Sequence, residues 1–318
     1  MATMLLLASL AGCGSSGATK TSTAPGSSAA STANGSVASA PTTTAARPSP
    51  PPPPRYPIVL AAARRGVGSQ FTPVVSLRGQ TAVWMARLPT GVTLIYFDQH
   101  LLTLALHSGT IDAGGSGWRY GPAVVDGERA RLVAAFNGGF KLETESGGFQ
   151  SYGRTAVPLR SGLGSIVTYA DGTTNIGAWH EGVPTQRSPV VSVRQNLSLL
   201  IDHGHAAGNL ECVSCWGATL GGGAEVARSA LGVTPSGELV WAGGESLSVS
   251  TLADALLKAT AVRAVELDIN PQWVAGYLYR HRGTGRPLEP IPVVAAQHGV
   301  AGEFLEPYGR DFFTVLAR

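Results

Sequence analysis

The sequence predicts an α+β domain, a large mixed β-sheet with few flanking helices. Short runs of bulky apolar residues recur between glycine-rich turn signals along most of the chain, at 82–86, 92–97, 101–106, 131–136, 164–169, 197–202, 229–233 and 239–243. One stretch, 251–260, carries a helical repeat instead, with Leu252, Ala255, Leu256 and Ala259 on one stripe and Ser250 or Thr251 as N-cap. The order of strand 239–243, this helix and strand 262–269 reads as a β-α-β crossover, which makes those two strands parallel and their connection right-handed. No internal repeat of solenoid or propeller period is present.

The N-terminal region reads differently. Residues 4–10 are apolar and end in Leu10-Ala11-Gly12-Cys13, small residues before a cysteine that resemble a bacterial lipoprotein signal. In that pattern residues 1–13 are the signal peptide and lipobox, and Cys13 becomes the acylated N-terminus. The expected location is then extracytoplasmic, lipid-anchored to the cell membrane or secreted, although no Lys or Arg precedes the apolar run. Residues 14–57 are built from Ser, Thr, Ala, Gly and Pro and bury too little apolar surface to fold, so they read as a disordered tether stiffened by the proline run 50–54. Residues 58–318 remain as one domain, enough for a single sizeable core.

Composition narrows the partners. Of 318 residues 14% are charged and the formal net charge is +3, with no basic stripe, which argues against a nucleic-acid partner. Cys212 and Cys215 are an even pair for an oxidising compartment, and a local disulfide is the default. The alternatives are free thiols, or zinc held by His203, His205, Cys212 and Cys215.

The chemistry concentrates in a few places. Ala264-Val265-Glu266-Leu267-Asp268-Ile269-Asn270 alternates, so as a strand it sets Glu266, Asp268 and Asn270 on one face, with the acidic Cα atoms roughly 6 to 7 Å apart. The segment Asn137-Gly138-Gly139-Phe140 follows an apolar strand and lets backbone N–H groups approach a ligand, although Asn-Gly is also an ordinary hairpin turn. Arg228-Ser229-Ala230-Leu231-Gly232 opens an apolar strand with a cation suited to a carboxylate or phosphate. Arg154, with Arg160 nearby, reads as surface charge or as an anion contact. Arg194-Gln195-Asn196 reads as a further place for chemistry or, equally, as a strand-entry loop.

These pieces, in this order over residues 92–270, resemble the phosphodiester glycosidase family. The resemblance implies cleavage of a sugar phosphodiester and an active site faced by Asn137, Arg228 and Asp268, shaped by Gly138 and Gly139. The family's aspartate is followed by a glycine-rich turn, whereas Asp268 here is followed by Ile269-Asn270-Pro271-Gln272-Trp273. Proline lacks an N–H, so an anion-cradling turn of the same kind does not form. Trp273 offers a flat ring of the kind sugars stack on, or serves as a core residue. Arg310-Asp311-Phe312-Phe313 reads as fold closure.

The expected enzyme is therefore an envelope-anchored glycosidase of phosphate-linked sugars. Asp268 or Glu266 acts as nucleophile or activates water, and Arg228 holds the departing phosphate. Asn137 completes the catalytic set, while Gly138, Gly139, Asn270, Trp273 and Arg154 bind substrate. The same acids with Asn270 offer oxygen ligands to Ca²⁺ or Mg²⁺. The alternative is a non-catalytic lipoprotein that binds cell-envelope glycan through the same cleft.

Overall fold

The computed structural model describes residues 71–144, 146–185, 188–217, 222–283 and 285–318. The chain divides into two units, Met1–Pro51 and Pro52–Arg318, and every described residue lies in the second. Cys13 and the expected tether lie outside the described residues. Among those described, no helix is long and apolar enough to cross a membrane.

The described residues are predominantly β: three sheets of eight, five and five strands, with α-helices only at Asp126–Arg129 and Val249–Lys258. This corrects the α+β expectation and its mixed sheet. Every strand ladder among the described residues is antiparallel, and the parallel pairing is a single isolated bridge between Trp179 and Val183. The strands flanking helix Val249–Lys258 run in the same direction but are not neighbours, because Val226–Val233 lies between them and runs antiparallel to both. Strands such as Thr72–Leu77, Arg154–Val157 and Glu289–Pro292 escaped notice because they are half-exposed edges without an apolar run.

The eight-stranded sheet runs Thr72–Leu77, Gln80–Arg87, Thr93–Phe97, Leu239–Leu247, Val226–Val233, Arg263–Glu266, Leu199–Asp202, His205–Ala206. Its central strands are apolar on both faces, and the two-residue period sorts them into separate cores. Ile95, Phe97, Leu231, Trp241 and Val265 enter the core shared with the other sheets. Leu94, Tyr96, Ala230, Val240 and Ala264 meet the helix. That helix begins earlier than expected because Ser248 is the N-cap, its hydroxyl accepting from Thr251 N at 3.0 Å. Its Leu252 and Leu256 are fully buried against the small residues of the sheet, and truncating either to Ala costs about 2–5 kcal/mol.

The second sheet runs Arg154–Val157, Phe149–Ser151, Val190–Gln195, Gly164–Tyr169, Thr174–Ala178. The third runs Glu289–Pro292, Gly276–Arg280, Leu132–Asn137, Phe312–Ala317, Leu102–His107. Phe136 and Phe313 face the common core from the third sheet, while Tyr277, Tyr279 and Phe312 face outward under Phe304 and Tyr308. All three sheets deliver strand ends to the segment just after Asn137.

Candidate active site

Asn137-Gly138-Gly139-Phe140 leaves the end of strand Leu132–Asn137 as a junction. Asn137 exchanges side-chain hydrogen bonds with Ser229, Nδ2 donating to Oγ at 3.0 Å and Oδ1 accepting at 3.2 Å. Gly138 N donates to Asp311 O at 3.0 Å, and Gly139 N to Asp311 Oδ2 at 3.4 Å. Phe140 N donates to Asn196 Oδ1 at 3.0 Å, and Asn196 Nδ2 reaches Leu267 O at 2.7 Å. The glycines are required by close approach. A Cβ on Gly138 would lie 2.0 Å from Asp311 Oδ2, and one on Gly139 would lie 2.8 Å from Arg194 Cζ. The expectation that these N–H groups cradle a ligand is corrected, since Asp311 already accepts from both.

Three buried arginine–carboxylate units surround the junction. Arg194 and Asp311 form a bidentate pair, Nε to Oδ2 at 2.8 Å and Nη2 to Oδ1 at 3.0 Å, both side chains fully enclosed. Arg194 is therefore a core residue of strand Val190–Gln195 rather than part of an entry loop. Asp311 likewise holds the junction.

The second unit is Asp268. Strand Arg263–Glu266 stops two residues short of it, and both faces of 264–269 are buried, so Glu266, Asp268 and Asn270 do not share the one strand face expected of them. Asp268 turns inward instead. Its Oδ1 accepts from Ile269 N at 2.8 Å and Asn270 N at 2.9 Å, and its Oδ2 accepts from Arg310 Nη2 at 3.2 Å. Burial pushes its pKa up to about 6, against the opposing pull of Arg310 and the two backbone donors. Arg310 also donates from Nε to Asp112 and from Nη2 to Gly139 O at 2.9 Å. Its guanidinium lies 5.1 Å from the ring centroid of half-buried Trp273. Asn270 Oδ1 accepts from Gln272 N at 2.9 Å, a local turn that presents the Pro271-Gln272-Trp273 segment and leaves that oxygen spoken for.

The third unit is Arg228 with Glu266, Nη1 to Oε1 at 2.7 Å. Strand alternation puts both on the helix-side face with Ala230 and Ala264, opposite the face of Ser229 that meets Asn137. Arg228 spends its remaining donors on the carbonyls of Leu247 at 2.9 Å, Trp216 at 3.3 Å and Ala224 at 3.4 Å. With 0% of its surface exposed, it does not meet an incoming phosphate, which corrects the role expected of it. Glu266 is equally enclosed, and its Oε2 has no hydrogen-bond partner. Burial raises its pKa although Arg228 opposes the shift.

Cys212 and Cys215 are joined by a disulfide, so neither thiolate is free for zinc. Among the described residues no three His, Cys, Asp or Glu side chains gather as metal ligands. Asp268 and Asp112 instead bracket the Arg310 guanidinium, which supplies the positive charge between them. The donor set does not fit Ca²⁺ or Mg²⁺, because the carbonyl of the Asn270 side chain and one face of each acid are taken. The residues that sequence reasoning missed are Arg310 and Asp112. An Arg-Asp pair opening the apolar run 312–317 was the available signal for the first, and nothing local marked the second.

No protein-family description matches the chain, and no curated protein does. Among solved structures, the zebrafish N-acetylglucosamine-1-phosphodiester alpha-N-acetylglucosaminidase catalytic domain, auto-inhibited by its pro-peptide, is similar at 16% identity, covering 78% of this chain and 81% of that one, with a TM-score of 0.45. A hypothetical protein from Synechocystis is similar at 14% identity over 78% of this chain and 64% of that one, with a TM-score of 0.40. A protein described as exported, from Burkholderia pseudomallei K96243, is similar at 13% identity over 74% of this chain and 75% of that one, with a TM-score of 0.39. These are remote likenesses of fold and carry no argument about activity.

Proposed function

We propose that the chain is a hydrolase of phosphate-linked sugars, tethered outside the cell membrane, with Asp268 and Arg310 at its reactive centre. The observation that carries this reading is the Asp268–Arg310–Trp273 arrangement. A carboxylate with a pKa near 6 shares a hydrogen bond with a guanidinium that is itself stacked on a half-buried indole. Asp268, ionised at neutral pH, draws a proton from water as its oxygen bonds to the sugar C1. The C1–O bond to phosphate breaks, and the electron pair leaves on a phosphate oxygen beside Arg310. The products are the free sugar and a phosphomonoester, which takes up the proton. Trp273 offers the sugar a ring edge at the same place. Asn137, Arg194, Asp311 and the Arg228–Glu266 pair hold the backbone that carries these groups.

A second reading, a non-catalytic lipoprotein that binds envelope glycan, is favoured by the three donors already engaging Asp268. Hydrolysis of a nitrophenyl sugar phosphodiester separates the two. Turnover by the parent and its loss in Asp268→Asn are expected for the hydrolase. Glycan binding with no turnover in the parent leaves the second reading in its place.

A further inference from the structure

Asp112 belongs to two places at once. Its Oδ2 accepts from Arg310 inside the site, and the residue also lines a surface groove of about 420 Å³. That volume lies within the range of small-ligand sites. Leu142, Val157 and Trp118 are among its apolar lining residues, and Arg154 lines it as well.

Arg154 is placed in a particular way. Its guanidinium lies 4.3 Å from the ring centroid of Trp118, and one Nη1 donor goes to Ser116 O. Trp118 is itself fixed, its Nε1 donating to Gly114 O at 2.7 Å and its ring edge-on to Phe149 at 5.3 Å. Among the described residues Arg154 has no acidic partner. The two other charges of the groove are already matched: Asp112 by Arg310 and by Leu142 N at 3.3 Å, and Glu143 by Lys141 at 3.3 Å. A stacked arginine with open donors, beside neutralised acids and apolar surface, suits an oxyanion attached to a sugar or similar CH-rich group.

We infer that this groove is a binding subsite for an oxyanion borne by the part of the substrate beyond the scissile bond, with Arg154 as its reader. The inference rests on the hydrolase reading for the word substrate, and it makes that substrate one with a repeating negative charge, such as a sugar-phosphate chain.

The test uses the full chain carrying Asp268→Asn, so that bound probes persist. Affinities are titrated for a single-unit nitrophenyl sugar phosphodiester and for a two-unit sugar phosphate with a second phosphate. The two-phosphate probe should bind more tightly, and Arg154→Ala should reduce that preference by about tenfold, as expected for loss of charge-assisted hydrogen bonds. Arg154→Lys keeps the charge without the planar fork and should fall between. A probe with a terminal carboxylate in place of the second phosphate shows which oxyanion is preferred. A preference unaltered by Arg154→Ala, or absent from the outset, overturns the groove assignment. An Arg154-dependent preference in a chain whose parent shows no turnover would overturn the hydrolase reading and leave the subsite standing.

Discussion

Arg310 donates to the carboxylate of Asp268 at 3.2 Å across 42 positions of sequence, and the same side chain reaches Asp112 across 198. One guanidinium therefore neutralises two buried acids. Arg310→Ala would leave both carboxylates enclosed without a counter-charge, so a stability loss of about 3–5 kcal/mol is expected in denaturant titration. Arg310→Lys cannot bridge two acids with one planar fork and should recover part of that loss. A melt within error of the parent for Arg310→Ala would show that the acids find other partners.

The protonation of Asp268 sets a pH limb. With its pKa near 6, the ionised form falls roughly tenfold per pH unit below that point, and under the proposed hydrolase reading kcat/KM for the diester should fall with it. The effect on stability has the opposite sense. The folded pKa lies above the ordinary value of 3.8, so the contribution of this group is full below that value and is lost as pH rises through about 6. Parent stability should accordingly decline between pH 4 and 7 by an increment missing from Asp268→Asn. An identical slope in the two proteins would contradict the assignment.

Arg228 and Glu266 form an enclosed pair whose removal should depend on how it is done. Arg228→Met strands a buried carboxylate and should cost about 3–5 kcal/mol, whereas Arg228→Met with Glu266→Leu replaces both charges by apolar volume and should restore most of the loss. Urea titration of these two variants and of Glu266→Leu alone checks this. Strict additivity of the single changes would mean that the two side chains are not coupled.

His107 supplies an acid-side limit. It is fully buried, with Nδ1 2.9 Å from Gly121 O and Nε2 3.1 Å from Thr314 Oγ1, and burial lowers its pKa to about 4. A base whose folded pKa is depressed stabilises above its unfolded value of 6.5, and that contribution is lost as pH falls toward 4. The loss amounts to roughly 3 kcal/mol over that window. His107→Gln should flatten the thermal melting profile between pH 6.5 and 4.

Gly138→Ala should destabilise by about 1–3 kcal/mol or more, because the new Cβ meets a carboxyl oxygen held on two sides by Arg194 and Gly139 N. Retention of the parent melting temperature would show that Asp311 can retreat without disturbing Arg194.

What could be read in advance followed from short-range periodicity. Apolar runs at 92–97 and 239–243 between turn residues marked central strands, and Asn137-Gly138-Gly139 marked a place of close backbone approach, although to a ligand rather than to Asp311. The exposed edges and the three-sheet arrangement could not be read, because long-range pairing leaves no local pattern. The charged pairs were hidden for the same reason: Arg194 finds Asp311 over 117 positions, and Arg310 finds Asp112 over 198. The acidic strand was misjudged because its period is genuine up to Glu266, where the ladder ends and Asp268 turns toward its own backbone.

Strand Phe312–Ala317 lies inside its sheet, paired with Leu132–Asn137 on one side and Leu102–His107 on the other, and the two residues just ahead of it clasp Asp268 and Arg194. Native assembly consequently waits for residues synthesised well after the strands and side chains they join. A protein shortened at Gly309 would lose a guanidinium, its neighbouring acid and the keystone of a five-stranded layer in a single cut, so partial products of synthesis should be open, protease-sensitive and inert.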